Sequence, residues 1–145
     1  MFMNVKAQIR EPEVMELLEY AVFPEPEQVE TAVQSYESHD EYELYAYDDK
    51  ELLVGLIGFE DRGEGLYIRH ISVLPENRRK GYGRGMILEL MLERNPELII
   101  AETDEEGVDF YRSIGFMVFS MGEVYPGVER FRCEYEVEQA DEEEQ

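Results

Sequence analysis

The sequence has little of several residue types that would commit a chain to a particular class of protein. Its 145 residues include one cysteine, no tryptophan and two histidines, with 13 Lys and Arg against 35 Asp and Glu. One cysteine cannot form an internal disulfide, and two histidines without Cys/His spacing predict no metal site. The formal net charge of −22 argues against a nucleic-acid partner, because phosphate contacts dominate that affinity.

Long apolar segments are also missing. The longest run, "LLVGLIGF" at residues 52–59, is far shorter than the ~18 residues that suggest a membrane-spanning helix. The first residues lack the pattern of a signal peptide. We therefore expect a cytoplasmic protein with no membrane contact. Its length predicts a single domain over residues 1–137, followed by an acidic tail over residues 138–145 that we expect to be disordered.

Apolar periodicity predicts a mixed α/β order of elements. Helices are expected to begin near Pro12, after Pro26, near Gly81 and at Glu105. The first three central strands, separated by turn sequences, should form an antiparallel meander, and the last strand alternates strictly. Predicted strands lie at residues 6–9, 42–47, 52–60, 66–73, 97–102, 116–120 and 128–137.

One short segment concentrates the scarce cations. "RRKGYGRG", residues 78–85, holds four of the 13 Lys and Arg residues together with three glycines, and it precedes a predicted helix. Helix N-termini bind anions, glycine lets the backbone approach a ligand, and arginine grips phosphate oxygens. The segment predicts a phosphate or pyrophosphate site. A glycine-rich helix start that binds nothing would explain the glycines but not the cations.

Two motifs carry a resemblance to a known family. "VLPENRRKGYGRGMI", residues 73–87, resembles the acyl-CoA-binding motif of the GNAT superfamily of N-acetyltransferases, V-x-P-x-x-R/Q-x-x-G-x-G/A, with Val73, Pro75, Arg78, Gly81 and Gly83 at its positions. "FYRSIGF", residues 110–116, is similar to the tyrosine-containing helix end and following strand of the same superfamily. The resemblance implies a mixed, mostly antiparallel sheet of six to seven strands flanked by about four helices.

The resemblance also implies how acetyl-CoA would bind. The main chain of Ile71 and Val73 would pair with the pantetheine arm, beside a gap where this strand and the one at residues 97–102 splay apart. A backbone N–H there can support a developing oxyanion. The pyrophosphate would be surrounded by Arg78, Arg79, Lys80, Gly81, Tyr82, Gly83 and Arg84.

Catalytic roles follow from the same resemblance for Tyr111, which would protonate or hydrogen-bond the departing thiolate. Tyrosine, with an ordinary pKa of about 10, is a weaker acid than a thiol at about 8.5, so hydrogen bonding suits it better than full proton transfer. The alternative is a tyrosine that only packs the helix against the sheet. Three residues are candidates for the base that deprotonates the amine: His70, Glu102 and Glu60.

These features lead us to expect transfer of an acetyl group from acetyl-CoA to a primary amine of a small molecule or peptide, by direct attack in a ternary complex. Two alternatives stay open: a non-catalytic acyl-CoA sensor, and an interaction domain that docks a basic protein. The alternating last strand could pair across a homodimer. Acceptor specificity is expected from the first two helices and the segment before the last strand, which carry Glu25, Glu27, Glu30, Tyr36, Glu123 and Tyr125.

Overall fold

A seven-stranded sheet, with strand order β1-β2-β3-β4-β5-β7-β6, organises the described part of the chain. The computed structural model describes residues 1–22, 25–63 and 65–138. The strands are β1 (Phe2–Asn4), β2 (Tyr42–Asp49), β3 (Leu52–Asp61), β4 (Gly65–Val73), β5 (Leu98–Thr103), β6 (Met117–Tyr125) and β7 (Val128–Glu136). The helices are α1 (Pro12–Ala21), α2 (Pro26–Ser38), α3 (Tyr82–Arg94) and α4 (Val108–Ser113).

The predicted mixed, mostly antiparallel sheet is confirmed, with β4 and β5 as the parallel pair among the described strands. The sheet separates two hydrophobic cores, because alternate side chains of a strand point to opposite faces. On β3, Ile57 and Phe59 belong to the core under α3 and α4, whereas Leu56 belongs to the core under α1 and α2. The helical spacing of Val29, Ala32, Val33 and Tyr36 marks the buried face of α2.

The predicted strand at residues 6–9 is wrong. Lys6–Gln8 is a single 3₁₀ turn, and the edge strand is β1, which pairs with β2. The N–H of Gln8 bonds to the carbonyl of Val5 at 2.9 Å, and both Val5 and Ile9 are buried in the α1/α2 core. Apolar residues four apart belong to a turn of helix rather than to an alternating strand, where they would be two apart.

One helix boundary and one expected strand pairing also differ from the sequence-based expectations. The helix predicted from Glu105 begins at Val108, because the Asp104 carboxylate accepts the N–H groups of Glu106 and Gly107 and holds residues 104–107 in a turn. The last strand cannot pair across a dimer, because β7 lies between β5 and β6 and both its edges are used. The predicted tail lies outside the described residues except for Glu138.

The parallel pairing between β4 and β5 is short. Gly65 to Ile68 pair with Leu98 to Ala101, after which β4 continues along β3 to Val73 and β5 continues along β7 to Thr103. A register shift opposite Gly58 and Phe59 leaves Arg69 as an extra residue on β4 at the point of divergence. The expected splay of these two strands is therefore present.

One packing contact on the α1/α2 side joins three elements through a glycine. Tyr36 of α2 is fully buried, and its hydroxyl lies 2.7 Å from Nδ1 of His70 on β4. A Cβ atom on Gly58 of β3 would stand 1.8 Å from that hydroxyl oxygen, so only glycine leaves room for the contact. Burial, together with the nearby charge of Arg69, lowers the pKa of His70 to about 4.

Gly58→Ala should therefore displace the Tyr36 ring and break its bond to His70. We expect a loss of at least about 2 kcal/mol in the free energy of unfolding, from overpacking and the broken hydrogen bond. Gly85→Ala is the matched control, because a Cβ at this position in the first turn of α3 meets nothing within 4 Å. Helix propensity predicts that the control gains up to about 1 kcal/mol. Denaturant unfolding measures both, and equal stability of Gly58→Ala and wild type would contradict the packing argument.

The lowered pKa of His70 predicts a pH dependence of stability. Between pH 6.5 and 4 an unfolded histidine is protonated while native His70 is neutral, so the unfolded state binds more protons. Stability contributed by neutral His70 is thus present above pH 6.5 and lost as the pH falls towards 4. In unfolding experiments at pH 7.5 and 4.5, wild type should lose about 2 kcal/mol more than His70→Gln. Parallel losses in the two proteins would show that His70 is not held neutral.

Candidate functional site

The glycine-rich segment forms the start of α3 and one wall of a cavity of about 630 Å³. Gly81 caps the helix with φ +88°, and Arg79 before it has φ +65°, so the chain turns sharply into α3. The first N–H groups of a helix have no intrahelical acceptor. Because Gly81, Tyr82 and Gly83 line the cavity, this end of the helix is available to an anion there.

Three of the four predicted cations, Arg78, Arg79 and Arg84, line this cavity, and none of the four is ion-paired in the described residues. Arg79, Lys80 and Arg84 are exposed, and no described carboxylate forms an ion pair with them. Arg78 donates from Nε to the carbonyl of Val73 at 2.9 Å, which ties the loop to the end of β4. The hydroxyl of Tyr82 donates to Asp49 at 2.8 Å. The loop is thus anchored while three of its charges stay free.

Two further features distinguish the lining of this cavity. Asn77 lines it, and its Oδ1 is buried without a hydrogen-bond partner among the described residues. A Cβ on Gly83 would lie 3.1 Å from the Phe110 ring, so a side chain there would crowd the contact between α3 and α4. An orphaned acceptor, a bare helix start and unpaired cations fit a phosphate-bearing ligand with hydrogen-bond donors.

A second cavity of about 370 Å³ opens where β4 and β5 diverge. Ile71 and Phe110 line both cavities, so the two lie side by side along β4. Backbone groups alternate in direction along an antiparallel strand, so part of those in residues 69–73 face the gap rather than β3. Together the cavities form a path from the cationic loop to the centre of the sheet.

Tyr111 of α4 lines this second cavity. Its ring packs edge-on against Phe110 and Phe116, and the residue is 5% exposed. Burial, and to a lesser degree the neighbouring Cys133, raises the pKa of Tyr111. Its hydroxyl has no hydrogen-bond partner in the described part of the chain, so it is free to donate to a ligand.

The three candidate bases differ in their surroundings. His70 lines the cavity, but Tyr36 occupies its Nδ1 and its pKa is about 4. Glu102 also lines the cavity and accepts a hydrogen bond from the hydroxyl of Tyr67, whose pKa burial and this carboxylate raise to about 12. Glu60 is ion-paired with arginines at 3.2 and 3.6 Å, and its side chain is only 16% exposed.

The structure places some expected acceptor-binding residues elsewhere. Tyr36 is wrong as a surface residue for the acceptor, because it is fully buried. Glu25 and Glu30 line a separate cleft between α1 and α2, whereas Glu123 and Tyr125 are exposed on β6. Sequence reasoning missed several residues that line the cavity between β4 and β5, the splay cavity, among them Arg69, Thr103, Phe110 and Arg130. Of these, Phe110 could have been predicted from the sequence, because it begins the motif that contains Tyr111.

Two general properties of the described residues bear on the site. No group of three or more His, Cys, Asp or Glu side chains among them is arranged to hold a metal ion. Within the same residues, no helix is both long and apolar enough to cross a bilayer.

Comparison with known proteins identifies relatives by sequence. The sequence model described as the acetyltransferase (GNAT) domain matches residues 40–118. An uncharacterized N-acetyltransferase in the lysA 3′ region of Bacillus methanolicus is 32% identical over 63 residues, 43% of this chain and 52% of that protein. The chain thus spans about half the length of this curated relative.

Solved structures share the fold. A protein from Desulfovibrio desulfuricans assigned to the GNAT family of acetyltransferases superposes with a TM-score of 0.80 at 18% identity, covering 95% of this chain and 99% of that chain. An aminoglycoside 6′-N-acetyltransferase complexed with coenzyme A gives a TM-score of 0.78 at 16% identity, covering 97% and 99%. The same splayed sheet thus accommodates sequences that differ at most positions. Because the match to this domain model covers more than half of the chain, the chain belongs to the GNAT acetyltransferase family.

Proposed function

We propose that this protein is an N-acetyltransferase that moves an acetyl group from acetyl-CoA to a primary amine of a small molecule or peptide. The observation that carries the proposal is the continuity of two cavities. One is lined by two unpaired cations, Arg79 and Arg84, and by a helix start. The other lies between splayed strands beside the hydroxyl of Tyr111, which has no partner among the described residues. The coenzyme A bound by the aminoglycoside acetyltransferase of the same fold supports this choice of ligand.

Binding of acetyl-CoA is assigned to the larger cavity and the adjoining edge of β4. The first-turn N–H groups of α3 at Gly81, Tyr82 and Gly83 would hold the pyrophosphate, with Arg78, Arg79, Lys80 and Arg84 supplying charge. Asn77 Oδ1 is available to accept a hydrogen bond. The main chain at Ile71 and Val73, in the stretch of β4 that has left β5, would pair with the amide groups of the pantetheine.

Acetyl-CoA supplies an activated acyl thioester. In the transfer, a C–N bond forms, the C–S bond breaks, and the amine nitrogen loses one proton. We assign acceptance of that proton to Glu102, directly or through water, because it faces the cavity and is not ion-paired in the described residues. His70 is the less suitable choice, because Tyr36 occupies its Nδ1 and burial lowers its pKa to about 4, which opposes the positive charge that a transferred proton would bring.

Tyr111 is assigned to the sulfur that leaves. A thiol has an ordinary pKa of about 8.5, and burial raises the pKa of Tyr111 above its ordinary value of about 10. Complete proton transfer from tyrosine to thiolate is therefore unfavourable. A hydrogen bond from the neutral hydroxyl still stabilises the charge that develops on sulfur, because it acts inside a site that excludes most water.

If the loop before α3 and its first turn bind acetyl-CoA, the affinity should depend on the positive charges there. A Lys80→Ala, Arg84→Ala double variant should bind acetyl-CoA about tenfold to a hundredfold more weakly in calorimetric titration, because hydrogen bonds to charged groups are lost. The control is an Arg10→Ala, Arg112→Ala double variant. It also removes two positive charges, but from ion-paired arginines that line neither cavity. Equal weakening in both doubles would trace the effect to net charge and contradict the assignment.

The role of Tyr111 predicts a selective kinetic defect. Tyr111→Phe keeps the ring contacts and breaks no hydrogen bond within the described residues, so stability and acetyl-CoA affinity should stay close to wild type. We expect kcat to fall about tenfold to a hundredfold in an assay of thiol release with an amine panel. An unchanged kcat would assign Tyr111 to packing alone. Acetyl-CoA binding without turnover of any amine would favour the non-catalytic sensor.

A further inference from the structure

The scarce cations of this chain are concentrated at two places. Four of the 13 Lys and Arg residues lie in the loop before α3 and its first turn, and four others, Arg62, Arg69, Arg130 and Arg132, lie on β4 and β7 or next to them. In the second group, Arg69 and Arg130 line the splay cavity. The guanidinium of Arg62 stacks on the ring of Tyr67 at 4.2 Å, and Arg132 of β7 stands opposite Glu102 of β5 in the strand register. With 35 acidic residues in the chain, such a group calls for a local explanation.

Three of these four arginines already have carboxylate partners. Arg62 and Arg69 share Glu60 at 3.2 and 3.6 Å, and Arg132 holds Glu134 at 2.6 Å. These contacts explain the presence of three guanidinium groups without any ligand. The remaining member of the group differs from them.

Arg130 makes no ion pair or hydrogen bond to any described residue, although its side chain lines the cavity. It lies on β7 opposite Gly122 of β6, where the register shifts, so the facing residue has no side chain to cover it. Gly122 has φ +82°, and a Cβ there would meet nothing within 4 Å. The guanidinium is therefore half-buried at a concave site and open on the side of β6.

The side chains that line the cavity carry more positive than negative charge, although the whole chain is strongly acidic. Glu102 is the one carboxylate among the described residues that line it, and it already accepts a hydrogen bond from Tyr67. Arg69, with a side chain 36% exposed, and Arg130 face the same space. Because salt screens charges beyond roughly 10 Å, these near groups outweigh the distant acidic surface.

We propose that the acceptor is an amino acid, or a closely similar amine that carries a carboxylate a few atoms from its nitrogen. The amine lies beside Glu102, and the carboxylate pairs with Arg130, with Arg69 as the second cation. A cavity of about 370 Å³ accommodates the two groups only when they are close together. The inference rests on the proposed function, since it takes this cavity as the acceptor end.

Matched acceptors that differ by one carboxylate test this proposal. The probes are L-phenylalanine with phenethylamine, L-tyrosine with tyramine, and L-lysine with cadaverine, with L-phenylalaninamide as the uncharged analogue of the acid. We expect at least one amino acid to be acetylated with a kcat/KM about tenfold or more above its partner. Titration of the same probes into CoA-loaded protein measures binding without turnover.

Arg130 variants connect any preference to the cavity. Arg130→Gln should lower kcat/KM and affinity for the amino acid about tenfold to a hundredfold, while leaving the decarboxylated amine and acetyl-CoA affinity unchanged. Arg130→Lys should retain part of the preference. Arg112→Gln, which removes an arginine that lines neither cavity, is the control and should leave the preference intact.

The outcomes separate this inference from the function on which it rests. Faster acetylation of the decarboxylated amines would overturn the inference and leave the acetyltransferase standing. Binding of an amino acid that depends on Arg130, without acetylation, would support the inference and overturn catalysis. If protein that binds acetyl-CoA neither acetylates the probes nor binds those with a carboxylate more tightly, the inference and the proposed acetyltransferase function are both overturned.

Discussion

The short parallel pairing between β4 and β5 is the constraint on which the site depends. Each strand keeps a full partner on its other side, β3 for β4 and β7 for β5, so both can part after Ile68 and Ala101 without unfolding the sheet. Parting leaves main-chain donors and acceptors of residues 69–73 without a strand partner. A buried backbone group without a partner costs free energy, so this edge favours a ligand that carries amide groups.

Helix packing places candidate site residues at the gap between β4 and β5. Ser72 donates its hydroxyl hydrogen to the carbonyl of Leu17 at 2.6 Å, which holds α1 on one face of β4. On the other face, α4 presents Tyr111 to the gap, and Phe110 reaches the start of α3 across Gly83. α1 and α3 therefore pack on opposite faces of β4, and α4 contacts the start of α3 through Phe110 and Gly83.

Burial controls the chemistry of the site more than strong acid–base groups do. Desolvation raises the pKa of Tyr111 and lowers that of His70, so both are neutral at pH 7. Neutral groups act by donating or accepting hydrogen bonds in fixed positions. In the proposed mechanism, formal charge enters at the two ends of the path. The loop cations and Arg130 would select ligands, and Glu102 would accept the proton that the amine loses.

The sequence by itself determined the local features: most helices and strands, the buried face of α2, the glycine-rich cationic start of α3 and the position of Tyr111 in its motif. Periodicity, capping and glycine placement act over a few residues, so they can be read along the chain. The 3₁₀ turn at Lys6–Gln8 was missed because only its contacts with β2 and the α1/α2 core distinguish it from a strand. Local patterns do not record such contacts.

Tertiary structure alone decided which distant residues meet. Tyr36 is aromatic and looked suited to an acceptor, but its contact with Gly58 and His70 buries it completely. The alternating pattern of the last strand does not connect Arg130 with any site, and the strand order places it at the splay cavity. Strand order depends on pairings between residues far apart in sequence, whose free energies come from packing across the sheet, and for that reason no local pattern could reveal them.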